Sequence, residues 1–216
     1  MKRGLARWSC LLEGIAFVGF VDLYIWRLQS DQPWTWKLML GWLVVSFGLR
    51  RDTPKTMGWR ADNLGAASRQ AAWFFGLSSV LLIILGAAMG MLHRVPVHLV
   101  NPRQFGGYLA FCVLQQVGLN SFLTNRLMRA LGEPRRSAVL AGAMFAALHW
   151  PNPVLVPLTF LGGGAMAWLF ARERNILPLA LGQALLGALV WWAFPMAWHH
   201  GMRVGPGYGE YGVSVW

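Results

Sequence analysis

Apolar residues gather into seven runs along the 216-residue chain, separated by short stretches that hold most of its charge. The runs fall at Ser9–Trp26, Trp34–Leu49, Ala71–Leu92, Phe105–Leu123, Ser137–Trp150, Pro153–Phe170 and Ile176–Trp198. A helix that crosses the hydrocarbon core needs about 20 such residues, or about 17 at the short end. The fifth run is too short to cross alone, so it is expected to lie buried among its neighbours or to enter only part-way. The pattern predicts an all-α, polytopic transmembrane helix bundle of about seven spans, with seven or eight helices in all. Residues 1–200 read as a single integral-membrane domain and 201–216 as a Gly-rich tail, a loop or disordered extension without periodicity. Between the second and third runs, Thr56–Gln70 carries a turn at Gly58 and Asp62 or Asn63 in capping position. It is predicted to be a short amphipathic helix lying at the membrane surface.

The charged residues orient these spans. Lys2, Arg3 and Arg7, then Arg50, Arg51, Lys55, Arg60 and Arg69, then Arg126, Arg129, Arg135 and Arg136, then Arg172 and Arg174 all fall on one side. That is fourteen of the 19 basic residues; Arg27, Lys37, Arg94, Arg103 and Arg203 fall on the other. Loops that keep Lys and Arg stay in the cytoplasm, so the N-terminus is expected there and the tail outside, in a bacterial inner membrane. The net charge of +11 is thereby explained without nucleic acid. A nucleic-acid binder concentrates its basic residues on one soluble face, whereas here they are dealt out between apolar runs.

Composition agrees. Mean hydropathy is +0.44, with 56% hydrophobic and 12% charged residues, against about a quarter charged in soluble domains. Of the 13 tryptophans, Trp8, Trp26, Trp34, Trp36 and Trp198 sit where spans should meet headgroups. Cys10 and Cys112 form no disulfide or metal pattern and read as small core residues. Asp22 and Arg27 follow the first run without a small-residue cleavage site, so it is read as a retained span rather than a signal peptide.

Polar side chains at span centres are the default functional hypothesis, because hydrocarbon offers them no partner. The fourth run holds Gln115, Gln116, Asn120, Ser121, Thr124 and Asn125, and the spacing of four from Gln116 to Asn120 to Thr124 makes one stripe. The fifth ends at His149, and the seventh carries Gln183 at its middle. Helix-to-helix hydrogen bonding would account for any one of them; three helices delivering polar groups at similar depth point to a shared chamber. The Trp150-Pro151-Asn152-Pro153 turn should break the helix after His149 and leave Asn152 facing that chamber. Gly162-Gly163-Gly164 is read as a packing surface.

Gln115-Gln116-x-x-x-Asn120, Phe145-x-x-x-His149 and Gln183-x-x-x-Gly187 resemble, in order and spacing, the three motifs of the CAAX protease and bacteriocin-processing family of intramembrane endopeptidases. That family's motifs are Glu-Glu-x-x-x-Arg, Phe-x-x-x-His, and His-x-x-x-Asn or Asp. Gly58-Trp59-Arg60 and the Asn175–Pro178 lead-in add context, and the resemblance covers roughly Met57 to Pro195. It implies a catalytic set at Gln115, Gln116, Asn120, His149 and Gln183, with Ser121 and Asn152 as substrate-binding neighbours. The implied partner is a membrane-embedded peptide or protein, within the lipid bilayer and without a cofactor.

The second motif matches in full; the first and third match in spacing only. A carboxamide cannot take a proton from water at neutral pH, so neither Gln115 nor Gln116 is a general base. Asn120, Gln183 and Gly187 replace the arginine, the second histidine and the Asn or Asp. His149 could deprotonate water or Ser121, and Glu13 or Asp22 could bring a carboxylate, although solvation of a helix end is the expected role of both. Zn²⁺ needs at least three His, Cys or carboxylate ligands, and His149 has no such neighbours in sequence. His199 and His200 read as an interfacial patch, as do His93 and His98, and no metal is expected. Two functions follow: a divergent endopeptidase trimming prenylated or similar peptides through His149, or a catalytically inactive relative that binds a membrane peptide, lipid or partner protein in the former active-site cavity. A transporter would show two related halves with broken helices, and no such symmetry is present. Nothing in the sequence sets the oligomeric state.

Overall fold

The computed structural model describes residues 2–92 and 102–209, so His93 and His98 lie outside the described residues. Every predicted run coincides with a helix, and no strand occurs among the described residues. Helix α1 (Lys2–Leu23) continues through a π-helical turn at Tyr24–Leu28 to Asp31. Helix α2 (Trp36–Leu49), the short α3 (Pro54–Met57) and the long α4 (Leu64–Ala88) follow. Then α5 (Pro102–Gln116) runs without interruption through a π-helical segment, Val117–Thr124, into α6 (Asn125–Leu131). Helices α7 (Pro134–Ala147), α8 (Leu155–Glu173), α9 (Leu177–Ala193) and α10 (Met196–His199) complete the chain.

Leu5–Asp31, Leu64–Ala88 and Leu155–Glu173 are long and apolar enough to cross a membrane, and Leu177–Ala193 is a shorter apolar helix. Helices α2 and α7 have 14 residues each, or ~21 Å at 1.5 Å per residue, short of the ~30 Å hydrocarbon core. The protein is an integral-membrane helix bundle with spans of unequal length. The expected surface helix at Thr56–Gln70 is corrected. Gly58, at φ +88°, ends α3, and the amphipathic stretch from Leu64 onward forms the first turns of α4 itself. Asn63 precedes α4 without capping it by side chain.

Small residues set how closely the helices approach. A Cβ on Gly142 would fall 2.5 Å from the Phe160 carbonyl and 2.8 Å from the Gly164 nitrogen, so α7 and α8 meet backbone to backbone. Within the glycine run in α8, Gly163 and Gly164 pack against α7, whereas Gly162 faces open space. Helix α9 lies against α4 and α5, with the Phe75 ring 2.1 Å from where a Gly182 side chain would begin. Helix α1 packs on α6. Phe17, Phe122, Leu127, Phe145 and Phe170 are buried in the main core.

At one end, two segments remote in sequence are tied together. The amide of Ile176 donates to Gly58 O (3.0 Å), Asn175 Nδ2 donates to Arg60 O (2.8 Å) and to Asn63 Oδ1 (2.9 Å), and Asn63 Nδ2 donates to Glu173 O. The Gly58-Trp59-Arg60 stretch and the lead-in to α9 therefore form one clasp. At the other end Asn152 is a knot. Its Nδ2 donates to His199 O (2.8 Å) and Arg203 O (3.0 Å), and its Oδ1 accepts from the amides of Val154 and Leu155 at the start of α8. Gly205 N adds a bond to Trp150 O (2.9 Å). The beginning of the tail is thus ordered turns, His200–Met202 and Gly205–Tyr208, docked on the Trp150–Asn152 corner.

Candidate functional site

The stripe on α5 is a hydrogen-bonded string. Gln116 Nε2 donates to Gln183 Oε1 on α9 (2.6 Å), and Gln183 Nε2 donates to Gln115 Oε1 (2.6 Å). Asn120 Nδ2 donates to Gln116 Oε1 (2.5 Å), and Thr124 Oγ1 donates to Asn120 Oδ1 (3.1 Å) and Leu119 O (2.8 Å). Met166 on α8 closes one flank, its sulfur 3.0 Å from Gln116 Nε2. Gln116, Asn120 and Thr124 are fully buried, whereas Gln115 and Gln183 are half-buried at the open end of the string. Each orientation is fixed by the next, since turning one amide over would set donor against donor. The exception is the outer group: Gln115 Nε2 has no hydrogen-bond partner among the described residues.

Backbone geometry sets how this stripe turns about the helix axis. In an α-helix, four residues overshoot a full turn by ~40°, so a spacing of four drifts around the axis. The wider i→i+5 turn falls short of closing in four residues. The π-helical segment from Val117 reverses the sense of the drift, and the hydrogen bonds from Asn120 to Gln116 and from Thr124 to Asn120 link the successive side chains.

The remaining predicted residues are placed elsewhere. Ser121 is fully buried but donates to Met57 O, and Asn125 Nδ2 donates to Thr56 O (2.8 Å), so this side of the π-helical segment fastens α3. Arg174 Nη1 completes the fastening by donating to Asn125 Oδ1 (2.8 Å), and burial pulls its pKa below the usual arginine value. The Ser121 hydroxyl is therefore not paired with His149. Asn152 does not face the amides, because all of its bonds go to backbone in the knot described above. His149 joins the string by no hydrogen bond. Its Nδ1 lies 2.7 Å from Phe145 O and its ring stands edge-on to Phe145 at 4.7 Å. A carbonyl requires Nδ1 to carry the proton, which leaves Nε2 as an acceptor. The structure thus brings together Gln115, Gln116, Asn120 and Gln183, and holds His149 on its own helix.

Sequence reasoning missed a buried ionic cluster. Arg126 is wholly buried, with Nη2 2.8 Å from Asp52 Oδ2 and 2.7 Å from Ser46 Oγ, and Nε 3.4 Å from Glu13 Oε2. Arg50 reaches the same Glu13 carboxylate (2.9 Å), and Arg129 pairs with Asp52. The Arg126 guanidinium also lies 5.0 Å from the Phe122 ring centre. Glu13 is therefore an ion-paired residue, not one solvating a helix end, and Arg126 is not a loop charge. The signal available in the sequence was Glu13 itself, since a carboxylate inside an apolar run requires a cation nearby.

His199 corrects the expected interfacial patch: it is fully buried, with its ring 5.2 Å from that of Trp191. His200 stacks on Tyr208 at 4.0 Å. Among the described residues, no three His, Cys, Asp or Glu side chains are grouped to hold a metal ion. Cys10 and Cys112 are buried and unpaired, as expected of core residues.

No curated protein and no solved structure matches the chain. Residues 105–189, which span α5 to most of α9 and contain the whole amide string up to Gln183, match the family described as Type II CAAX prenyl endopeptidase Rce1-like. The likeness to that family is confined to this segment, and it covers the helices that carry Gln115, Gln116, Asn120, His149 and Gln183.

Proposed function

We propose that this protein engages a membrane-bound peptide at the α5–α9 seam and holds it without the carboxylate chemistry of an endopeptidase. The observation that carries the reading is the mutual pairing of Gln115, Gln116 and Gln183. Where the motif spacing calls for a general base, the side chains are neutral amides engaged with one another, and none can accept a proton from water. What they offer instead is hydrogen bonding. Gln115 Nε2, half-buried and unpartnered, is a donor suited to a peptide carbonyl. The family's description makes a prenylated CAAX peptide the natural probe. The membrane is taken to be a bacterial inner membrane with the N-terminus in the cytoplasm. The gathering of Arg50, Arg129 and Arg174 at one end of the bundle supports that orientation.

One observation favours a hydrolytic second reading: His149 keeps Nε2 as an acceptor. Titration of detergent-solubilised protein with a fluorescent farnesylated CAAX peptide, followed by anisotropy, tests the first. Saturable binding that weakens in Gln115→Ala and Gln183→Ala is expected. Absence of binding, or binding indifferent to both substitutions, would overturn it.

A further inference from the structure

Position 187 on α9 has no side chain, and the space where one would begin is occupied from the opposite helix. A Cβ built on Gly187 would lie 2.0 Å from the hydroxyl oxygen of Tyr108, and nearer to it than to any other atom of the ring. Tyr108 lies eight residues before Gln116 on α5, with Cys112 midway between them. Two turns of helix place Tyr108, Cys112 and Gln116 along one side. On α9, Gly187 lies one turn beyond Gln183, the residue that receives Gln116 and bonds Gln115. The tyrosine hydroxyl is therefore the next polar rung of the same seam.

The rung is open on one side. Tyr108 and Gln115 are half-buried, and Phe111 between them is exposed, its ring stacked on Tyr108 at 6.5 Å. Spacings of three and four put Tyr108, Phe111 and Gln115 on one face of α5. A ligand lying along that face would meet a hydroxyl, an aromatic plane and an amide donor in turn. This is the chemistry of an extended peptide with a carbonyl and an apolar side chain.

We infer that Tyr108 is a ligand-binding residue of the seam, presenting its hydroxyl to the peptide across the glycine at 187. The inference rests on the proposed peptide-binding function and names the group that extends it.

The test is a set of peptide titrations with the fluorescent farnesylated CAAX peptide. Tyr108→Phe keeps the ring and removes only the hydroxyl, so affinity should fall about fivefold, the loss expected for one hydrogen bond, while the melting temperature holds. Gly187→Ser alone drives a side chain into the Tyr108 hydroxyl and should weaken binding at least as much. In Tyr108→Ala/Gly187→Ser the space is vacated, and a serine hydroxyl one bond beyond Cβ returns to nearly the same place. Affinity should recover toward wild type, and Tyr108→Ala alone should not. Wild-type affinity in Tyr108→Phe, or no recovery in the double variant, overturns this inference while peptide binding itself stands. If wild-type protein fails to bind the peptide, both readings fall together.

Discussion

Gln116 and Gln183 face each other across the α5–α9 seam with 2.6 Å between amide nitrogen and amide oxygen. Gln116 is wholly buried and also accepts from Asn120, so it is the centre of the string. Replacing it by alanine strands groups on both helices in an apolar surround. The expected cost is ~1–3 kcal/mol, the penalty for a buried unsatisfied polar group. Gln115→Ala, at the half-exposed end, should cost well under 1 kcal/mol, near the ~0.6 kcal/mol average for membrane hydrogen bonds. Reversible unfolding in mixed micelles measures both; equal losses would contradict the closed string.

The ionic cluster should be unforgiving. Arg126→Ala leaves Glu13 and Asp52 short of their shared cation inside the bundle, at an expected cost of about 3–5 kcal/mol. Arg50 also pairs with Glu13, but at 27% side-chain exposure, and its removal should cost about 1 kcal/mol or less. Denaturant titration of the two variants checks the order, and a loss in Arg50→Ala as great as in Arg126→Ala would be evidence against the cluster.

The two glycine contacts separate packing from mere composition. Gly142→Ala sets a methyl against the backbone of α8 and should destabilise by ~1–3 kcal/mol through overpacking. Gly162→Ala, with nothing within 4 Å of its Cβ, should be neutral or stabilising by up to ~1 kcal/mol. Thermal melts in detergent decide between them.

The start of α7 carries a pH dependence of known sign. The Glu133 carboxylate accepts from the amides of Arg135 and Arg136 (2.7 Å each), and these bonds hold its pKa below the usual glutamate range. A depressed folded-state pKa stabilises the folded form above the unfolded value, near 4.3, and that contribution is lost as pH falls through the folded value. Amide exchange at Arg135 and Arg136, corrected for intrinsic rates, should therefore quicken below about pH 4. Glu133→Ala should show fast exchange at every pH.

How legible this was in the sequence differs by feature. Helix positions followed from apolar runs, because burying a backbone in lipid demands a helix wherever such a run occurs. The Gln116–Asn120–Thr124 stripe was visible in its spacing, yet the π-helical segment on which Asn120 and Thr124 lie was not, since no residue type marks it. The surface helix at Thr56–Gln70 failed because nothing in the sequence ends a helix at Gln70, so the turns that start at Leu64 run on into α4. The turn at Gly58 was legible, but not that its left-handed backbone ends a separate helix, α3, or that its close contact with Phe170 ties the loop to α8. Asn152 was placed in the chamber on the strength of a proline turn. Its side chain is used by the very backbone amides that such a turn leaves unpaired. Arg126 was hidden by a rule of averages: most loop arginines are exposed, and burial of one depends on Glu13 and Asp52, some 113 and 74 residues away in sequence.

Peptide-bond hydrolysis followed by mass spectrometry in water enriched in ¹⁸O addresses the seam most directly. With purified protein and a farnesylated CAAX peptide that it binds, we expect no ¹⁸O in any released fragment, because neutral amides stand where a base would be needed. Label incorporated by the wild-type protein and lost in His149→Ala would show that an imidazole does the work of the missing carboxylates, and the seam would have to be read as an active site.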